Sequence, residues 1–174
     1  MSASRLAAIV FDRDEEPDVV LRAFIARALA AGGRVSGLVQ ERIENSDDEH
    51  DVCLRDLDTN ATLPIMQNLG PGAEGCRVDP AAIAGAAAML ERARANRPDL
   101  VVVNRFGRLE SEGGGLIEEI GRAVADGDAL VVCVPLRYLD AWNAFAGGFD
   151  TKVGVEPARL EAWWAALQRS GAHV

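Results

Sequence analysis

The sequence predicts a three-layer α/β fold on a mostly parallel sheet, and three observations carry that prediction. Short apolar runs rich in β-branched residues, such as Leu100 to Val103, have the composition of strands buried on both faces. Between them lie segments whose apolar residues recur at helical spacing. Proline and glycine mark the joins, with Pro17, Pro80 and Pro157 at helix starts and Gly32-Gly33 and Gly147-Gly148 at helix ends.

Taken in order, Leu6 to Phe11 is the first strand. An acidic loop, Asp12 to Glu16, leads to Pro17, after which Val20, Leu21, Phe24 and Ala28 follow a helical period. Val35 to Gln40 is the second strand, and the charged stretch ERIENSDDEHD after it reads as a solvated loop. Val52 to Leu57 and Thr62 to Gln67 flank the turn-like Asp58-Thr59-Asn60. Together they predict an inserted β-hairpin whose second arm Pro64 confines to an edge. Asp79-Pro80 is an N-cap followed by proline, opening a helix to about Asn96 with Ile83, Ala87 and Leu90 on its inner face. Then come the strand Leu100 to Val103, a helix from about Gly114 to Ala125 facing the sheet through Leu116, Ile117, Ile120 and Val124, and a last strand, Ala129 to Val134. Leu139 to Phe145 forms a short helix. Pro157 begins a C-terminal helix whose Leu160, Trp163, Trp164 and Leu167 read as core. The 174 residues are read as a single α/β domain.

Charge narrows the function. The formal net charge is -9 and Lys152 is the only lysine, so no clustered basic surface exists to neutralise a phosphate backbone. Nucleic acid is not expected as a partner. No apolar run reaches membrane-spanning length and MSASRLAAIVF is too short for a secretory signal, so no membrane partner is expected and the location is expected to be cytoplasmic. Cys53, Cys76 and Cys133 lack the spacing of a disulfide framework or a zinc site. His50 and His173 have no partner at ligand spacing, which leaves a histidine metal site or a Ser-His-Asp arrangement without support.

The segment Asp99 to Gly115, DLVVVNRFGRLESEGGG, has the form of a site. In open α/β sheets ligands bind at the carboxyl ends of strands, and here Asn104 stands at that edge, followed by Arg105, Gly107, Arg108, Glu110 and Glu112. Arg105 and Arg108 offer planar donors to an oxyanion, and Gly113, Gly114 and Gly115 are read as opening the next helix with unpaired N–H groups. The alternative is that Arg105 pairs with Glu110 or Glu112 and that the glycines only relieve close packing. Cys76-Arg77 precedes a capped helix, where Cys76 is either a low-pKa thiolate or a small buried hydrophobe. Gln40 and Arg42 stand where the second strand ends and face the same crevice. The acids of the first loop either hold a hard cation or are simply solvated, so the identity of any metal stays open.

The element order, the length and the string VVVNRFGRLESEGGGL resemble a bacterial family, the domain of unknown function 2478, over Leu6 to about Phe149. Its members are often encoded beside molybdenum-related genes, and the resemblance therefore implies a role in molybdenum metabolism. That family is similar, more distantly, to small P-loop nucleoside triphosphatases with a DxxxxDEIGxME strand, which implies a degenerate P-loop-like fold. The departures from that pattern are chemical. Asn104-Arg105 replaces the acidic pair, and FDRDEEPDVV stands where G-x-x-x-x-G-K-[ST] would cradle phosphates. Without the glycines and lysine, Asp12, Asp14, Glu15 and Glu16 would repel a triphosphate.

The leading expectation is thus a non-catalytic protein that binds a small oxyanion such as molybdate, or a nucleotide, in molybdenum metabolism. A divergent nucleotide-dependent phosphohydrolase using Glu110 or Glu112 is the second reading. A dimeric interaction module presenting Trp163-Trp164 or the hairpin is the third.

Overall fold

The computed structural model describes residues 3–44, 47, 51–66 and 78–172. Its strands are β1 (Leu6–Phe11), β2 (Val35–Arg42), β3 (Val52–Asp56), β4 (Thr62–Pro64), β5 (Leu100–Val103), β6 (Leu130–Pro135) and β7 (Asp150–Lys152). They form one sheet in the order β4-β3-β2-β5-β6-β1-β7, parallel from β2 through β7. The antiparallel hairpin β3-β4 extends it on one side, and β4, which contains Pro64, is the edge strand. The expected α/β sheet with an inserted hairpin is the observed one, and Leu100–Val103 is central, between β2 and β6.

The helices are α1 (Pro17–Ala30), α2 (Pro80–Ala95), α3 (Arg108–Ser111), α4 (Ile117–Ala125), α5 (Leu139–Ala146) and α6 (Pro157–Gly171). Alternation along β5 feeds two cores. Val101 and Val103 pack with Leu90, Ile120 and Trp142 of α2, α4 and α5, whereas Leu100 and Val102 pack with Phe24, Leu160 and Trp163 of α1 and α6. Every residue of β5 is buried, which is why a run of β-branched residues rather than an alternating pattern encodes it. Each such side chain contributes about 1.5–3 kcal/mol on burial. Gly37 of β2 has φ +123°, and a Cβ there would lie 2.1 Å from the Val102 carbonyl oxygen, so only glycine lets β2 approach β5 this closely.

Several boundaries differ from the sequence reading for identifiable reasons. Strand β2 runs on to Arg42 because Glu41 and Arg42 pair with Cys53 and Val52 of the hairpin. The inner stripe of α2 is Ala82, Ala86, Leu90 and Ala93, with Ile83 and Ala87 at its margin, because alanines let the helix lie close to the sheet. Asp79 is the expected N-cap, accepting from the Ala81 N–H at 2.9 Å. The glycines do not open a helix: α3 precedes them, and α4 starts only at Ile117. Strand β7 has no sequence signature. It is fixed from outside itself, by pairing with β1 and by the Trp142 indole, which donates to Asp150 Oδ2 at 2.8 Å. Trp163 is buried and donates through Nε1 to the Ser4 carbonyl at 2.8 Å, which removes it from any partner-facing surface. Gln67, Cys76, Arg77, His50 and His173 lie outside the described residues.

Candidate functional site

The carboxyl ends of β1, β2 and β5 meet around one buried amide and one guanidinium. The β2–β5 ladder ends at Leu38 and Val103, and there the side chain of Asn104 takes over from the backbone. Its Oδ1 accepts from the Gln40 N–H at 2.8 Å and its Nδ2 donates to Asp18 Oδ1 at 3.1 Å. A buried amide satisfied at both ends fixes a unique arrangement of the three segments. Arg105 then forms a fork with the same carboxylate, Nη1 to Asp18 Oδ1 at 2.8 Å and Nη2 to Asp18 Oδ2 at 3.0 Å. The guanidinium also lies over the Phe11 ring, 4.9 Å from its centroid. Asp18 sits in the first turn of α1, where the helix dipole favours a carboxylate. The sequence reading paired Arg105 with Glu110 or Glu112 in its alternative, but the partner is Asp18, on the other side of the sheet.

The loop that follows is pinned in two ways. The Phe106 N–H donates to the Cys133 carbonyl at 2.9 Å, and the Phe106 ring packs edge-on against Trp142, with centroids 5.3 Å apart. Glu110 then turns back into its own loop. Its Oε2 accepts from the Gly107 N–H and its Oε1 from the Leu116 N–H, both at 2.9 Å. Gly115 has φ +58°, and a Cβ on it would lie 2.1 Å from Glu110 Oε1. The glycines therefore make room for an internal carboxylate. The N–H groups of Gly113 and Gly114 donate to the Glu110 and Leu109 carbonyls, at 3.1 and 2.8 Å, so the expected open N–H cradle is closed.

The first loop is closed in the same manner. The Asp12 N–H donates to Glu15 Oε1 at 2.9 Å, the Arg13 N–H to Asp12 Oδ1 at 2.7 Å and the Glu15 N–H to the Asp12 carbonyl at 3.0 Å. Pro17 has no N–H to offer. A phosphate here would displace two carboxylates rather than meet convergent donors. Among the described residues, no group of three or more His, Cys, Asp or Glu is arranged to hold a metal ion.

Two hollows flank the Phe11, Gln40 and Arg105 ridge. A broad cleft of about 950 Å³ opens between the start of α1 and the hairpin, with Glu15, Glu16 and Glu41 facing Arg22, Arg42 and Arg55. On the α2 and α4 side, a cavity of about 360 Å³ brings together Gln40, Asn104, Arg105, Gly107, Arg108 and Glu110. Glu112, Gly113 and Gly114 line neither, and Glu112 faces Arg108 at 3.2 Å on an exposed helical turn. Arg42 lines only the broad cleft. Burial pushes the Cys133 thiol up to about 12, so it stays protonated and acts as core. Sequence reasoning missed Asp18, Arg137 and Tyr138. Asp18 carried one signal, a carboxylate one residue after a helix-starting proline, but nothing local indicated a partner 87 residues away.

The signature of the family described as "Protein of unknown function (DUF2478)" matches residues 6–163. The chain belongs to this family. Over 162 residues, 92% of this chain, it is 35% identical to the molybdenum import ATP-binding protein ModC 2 of Bradyrhizobium diazoefficiens, and it spans 18% of that protein's length. Two solved structures share its fold. A human cancer-related nucleoside triphosphatase superposes with a TM-score of 0.65 at 13% identity, covering 97% of this chain and 99% of the other. THEP1 of the hyperthermophile Aquifex aeolicus superposes with a TM-score of 0.59 at 10% identity, covering 92% and 95%. The DUF2478 chain is thus an α/β protein with the architecture of small P-loop nucleoside triphosphatases, and its first loop lacks the G-x-x-x-x-G-K-[ST] pattern. No helix among its described residues is long and apolar enough to cross a membrane.

Proposed function

We propose that this DUF2478 chain binds a small anionic ligand, a nucleotide or an oxyanion, at the carboxyl edge of its sheet without hydrolysing it. One observation carries the reading. Arg105, at the strand end where ligands of open α/β sheets bind, lines both hollows and is held ready by a carboxylate that a ligand anion can replace. Likeness to nucleoside triphosphatases and to a protein named for ATP binding supports a nucleotide. The same relative's name supports a place in molybdenum transport or metabolism, with molybdate as the oxyanion.

The absence of hydrolysis follows from how the groups are spent. The first-loop N–H groups described above are satisfied by Asp12 and Glu15, so a triphosphate finds no cradle there. Both oxygens of Glu110 already accept from backbone N–H groups of its own loop, which ties the carboxylate to a structural role.

Calorimetric titration with ATP, GTP, molybdate and phosphate, with and without magnesium, tests this function. Arg105→Ala should weaken the bound anion roughly ten- to a hundredfold, the loss of a charge-assisted contact. Unchanged affinity would remove Arg105 from the site. Magnesium-dependent phosphate release that vanishes in Glu110→Gln would overturn the non-hydrolytic reading.

A further inference from the structure

We infer that the smaller cavity takes an organic anion with an apolar body, inserted body-first with its charge left at the mouth against Arg137, and not a bare oxyanion. The inference rests on the proposal that this edge of the sheet binds an anion, and it names the class of that anion. The buried part of its lining is apolar, formed by Leu38, Leu54, Ile65, Val103 and Leu116, with the half-buried Ile83 beside them. Its volume of about 360 Å³ is within the range of small-molecule sites.

The other polar groups of its lining around Asn104 are already committed. Asn104 is bonded at both ends, Arg105 is forked to Asp18, which lines the broad cleft and not this cavity, and the Gly107 and Leu116 N–H groups donate to Glu110. A tetrahedral oxyanion moved inward would exchange water for hydrocarbon without gaining donors. At the mouth the situation reverses. Arg137 is exposed, follows the last residue of β6 by two positions, and lies on the Tyr138 ring at 4.9 Å, with no carboxylate partner among the described residues. A guanidinium braced on an aromatic face keeps its donors directed outward. An apolar buried lining and a cationic rim together select an amphiphilic anion.

The test uses two fluorescent probes with one body, anilinonaphthalene sulfonate and the uncharged N-phenyl-1-naphthylamine. The full chain should bind the sulfonate at one site, roughly tenfold tighter than the neutral probe, the increment of one charge-assisted contact. Arg137→Gln should abolish most of that preference and leave neutral binding in place. Ile83→Trp, which fills the cavity, should lose both probes while circular dichroism and the thermal midpoint stay near wild type. If that variant unfolds, methyl shifts of Ile65, Ile83 and Leu116 on probe addition to the unaltered protein give the same answer. Molybdate and phosphate should not displace the sulfonate. Equal affinities for the two probes, an unaffected Arg137→Gln, displacement by molybdate, or methyl shifts confined to other residues would each overturn the inference. ATP binding that survives Ile83→Trp would also overturn it while leaving the anion-binding proposal intact.

Discussion

The loop after β1 and the loop after β5 solve the same problem with the same chemistry and different permanence. Each follows a buried strand, and each satisfies backbone N–H groups with a carboxylate from its own sequence. In the loop after β5, Glu110 ties Gly107 to Leu116 and is packed against Gly115 so tightly that no Cβ fits. In the loop after β1, Glu15 reaches back only to Asp12, and the whole turn is exposed. A carboxylate sealed by packing is part of the fold, whereas one held on the surface is an exchangeable occupant. On the proposed function, ligand exchange belongs to the Asp18 and Arg105 side of the edge and structural rigidity to the glycine side.

The largest effect expected from this contrast is at Gly115. Gly115→Ala combines a left-handed backbone with expulsion of Glu110, and should cost about 3 kcal/mol in denaturant unfolding. A cost below about 1 kcal/mol would mean that the loop repacks easily and that Glu110 is not sealed. Next in size, Glu110→Ala leaves the Gly107 and Leu116 N–H groups without their acceptor, and should cost about 2 kcal/mol. Glu110→Gln keeps one acceptor oxygen and should fall between Glu110→Ala and wild type.

Asp18→Asn probes the exchangeable half. It weakens the fork to Arg105, which is 23% exposed, and should lower stability by about 1 kcal/mol. Freed of its internal anion, Arg105 should then bind an added anion more tightly than wild type by calorimetry. Reduced affinity would instead make Asp18 a ligand-contacting group and not a competitor. Glu15→Ala comes below these, at about 0.5 kcal/mol, because water replaces its carboxylate at an exposed N–H. A loss as large as that of Glu110→Ala would erase the distinction between the two loops.

The two loops also differ in how far sequence reveals them. Strands β1, β5 and β6 were legible because burial on both faces demands β-branched runs, and α2 was legible because Asp79-Pro80 is a local start signal. Glu110, three residues beyond Gly107, carried the spacing of a capping carboxylate, and its internal role could have been read from that. Arg105, Asn104 and Gln40, grouped by strand-end logic, stand together at one edge of the sheet. Asp18 could not be assigned to them, since its contact is made by the crossing of α1 over the sheet and leaves no trace in local spacing. The apolar lining of the cavity was equally hidden: Leu54, Ile65 and Ile83 come from the hairpin and α2, segments whose approach only tertiary packing determines.

The smallest effect belongs to the ion pair that borders the broad cleft on the hairpin side. Glu41 at the end of β2 accepts from Arg55 Nε of β3 at 2.8 Å, and the Arg55 hydrogen bond holds the Glu41 carboxyl below its ordinary value. Because the folded value is depressed, the stabilisation is fully present above the unfolded value of about 4.3 and is lost as pH falls through the lower folded value. Both side chains are substantially hydrated, so the contribution should be small and weakened by salt. Denaturant midpoints of wild type and Arg55→Gln should therefore differ slightly and constantly from pH 7 down to about pH 5, then converge on further acidification. Midpoints that diverge below pH 4 would reverse the sign and show Arg55 acting on some other group. A gap exceeding that of Glu15→Ala would make the hairpin pair a structural anchor of the cleft, and the exchangeable half of the edge would then shrink to Asp18 and Arg105 alone.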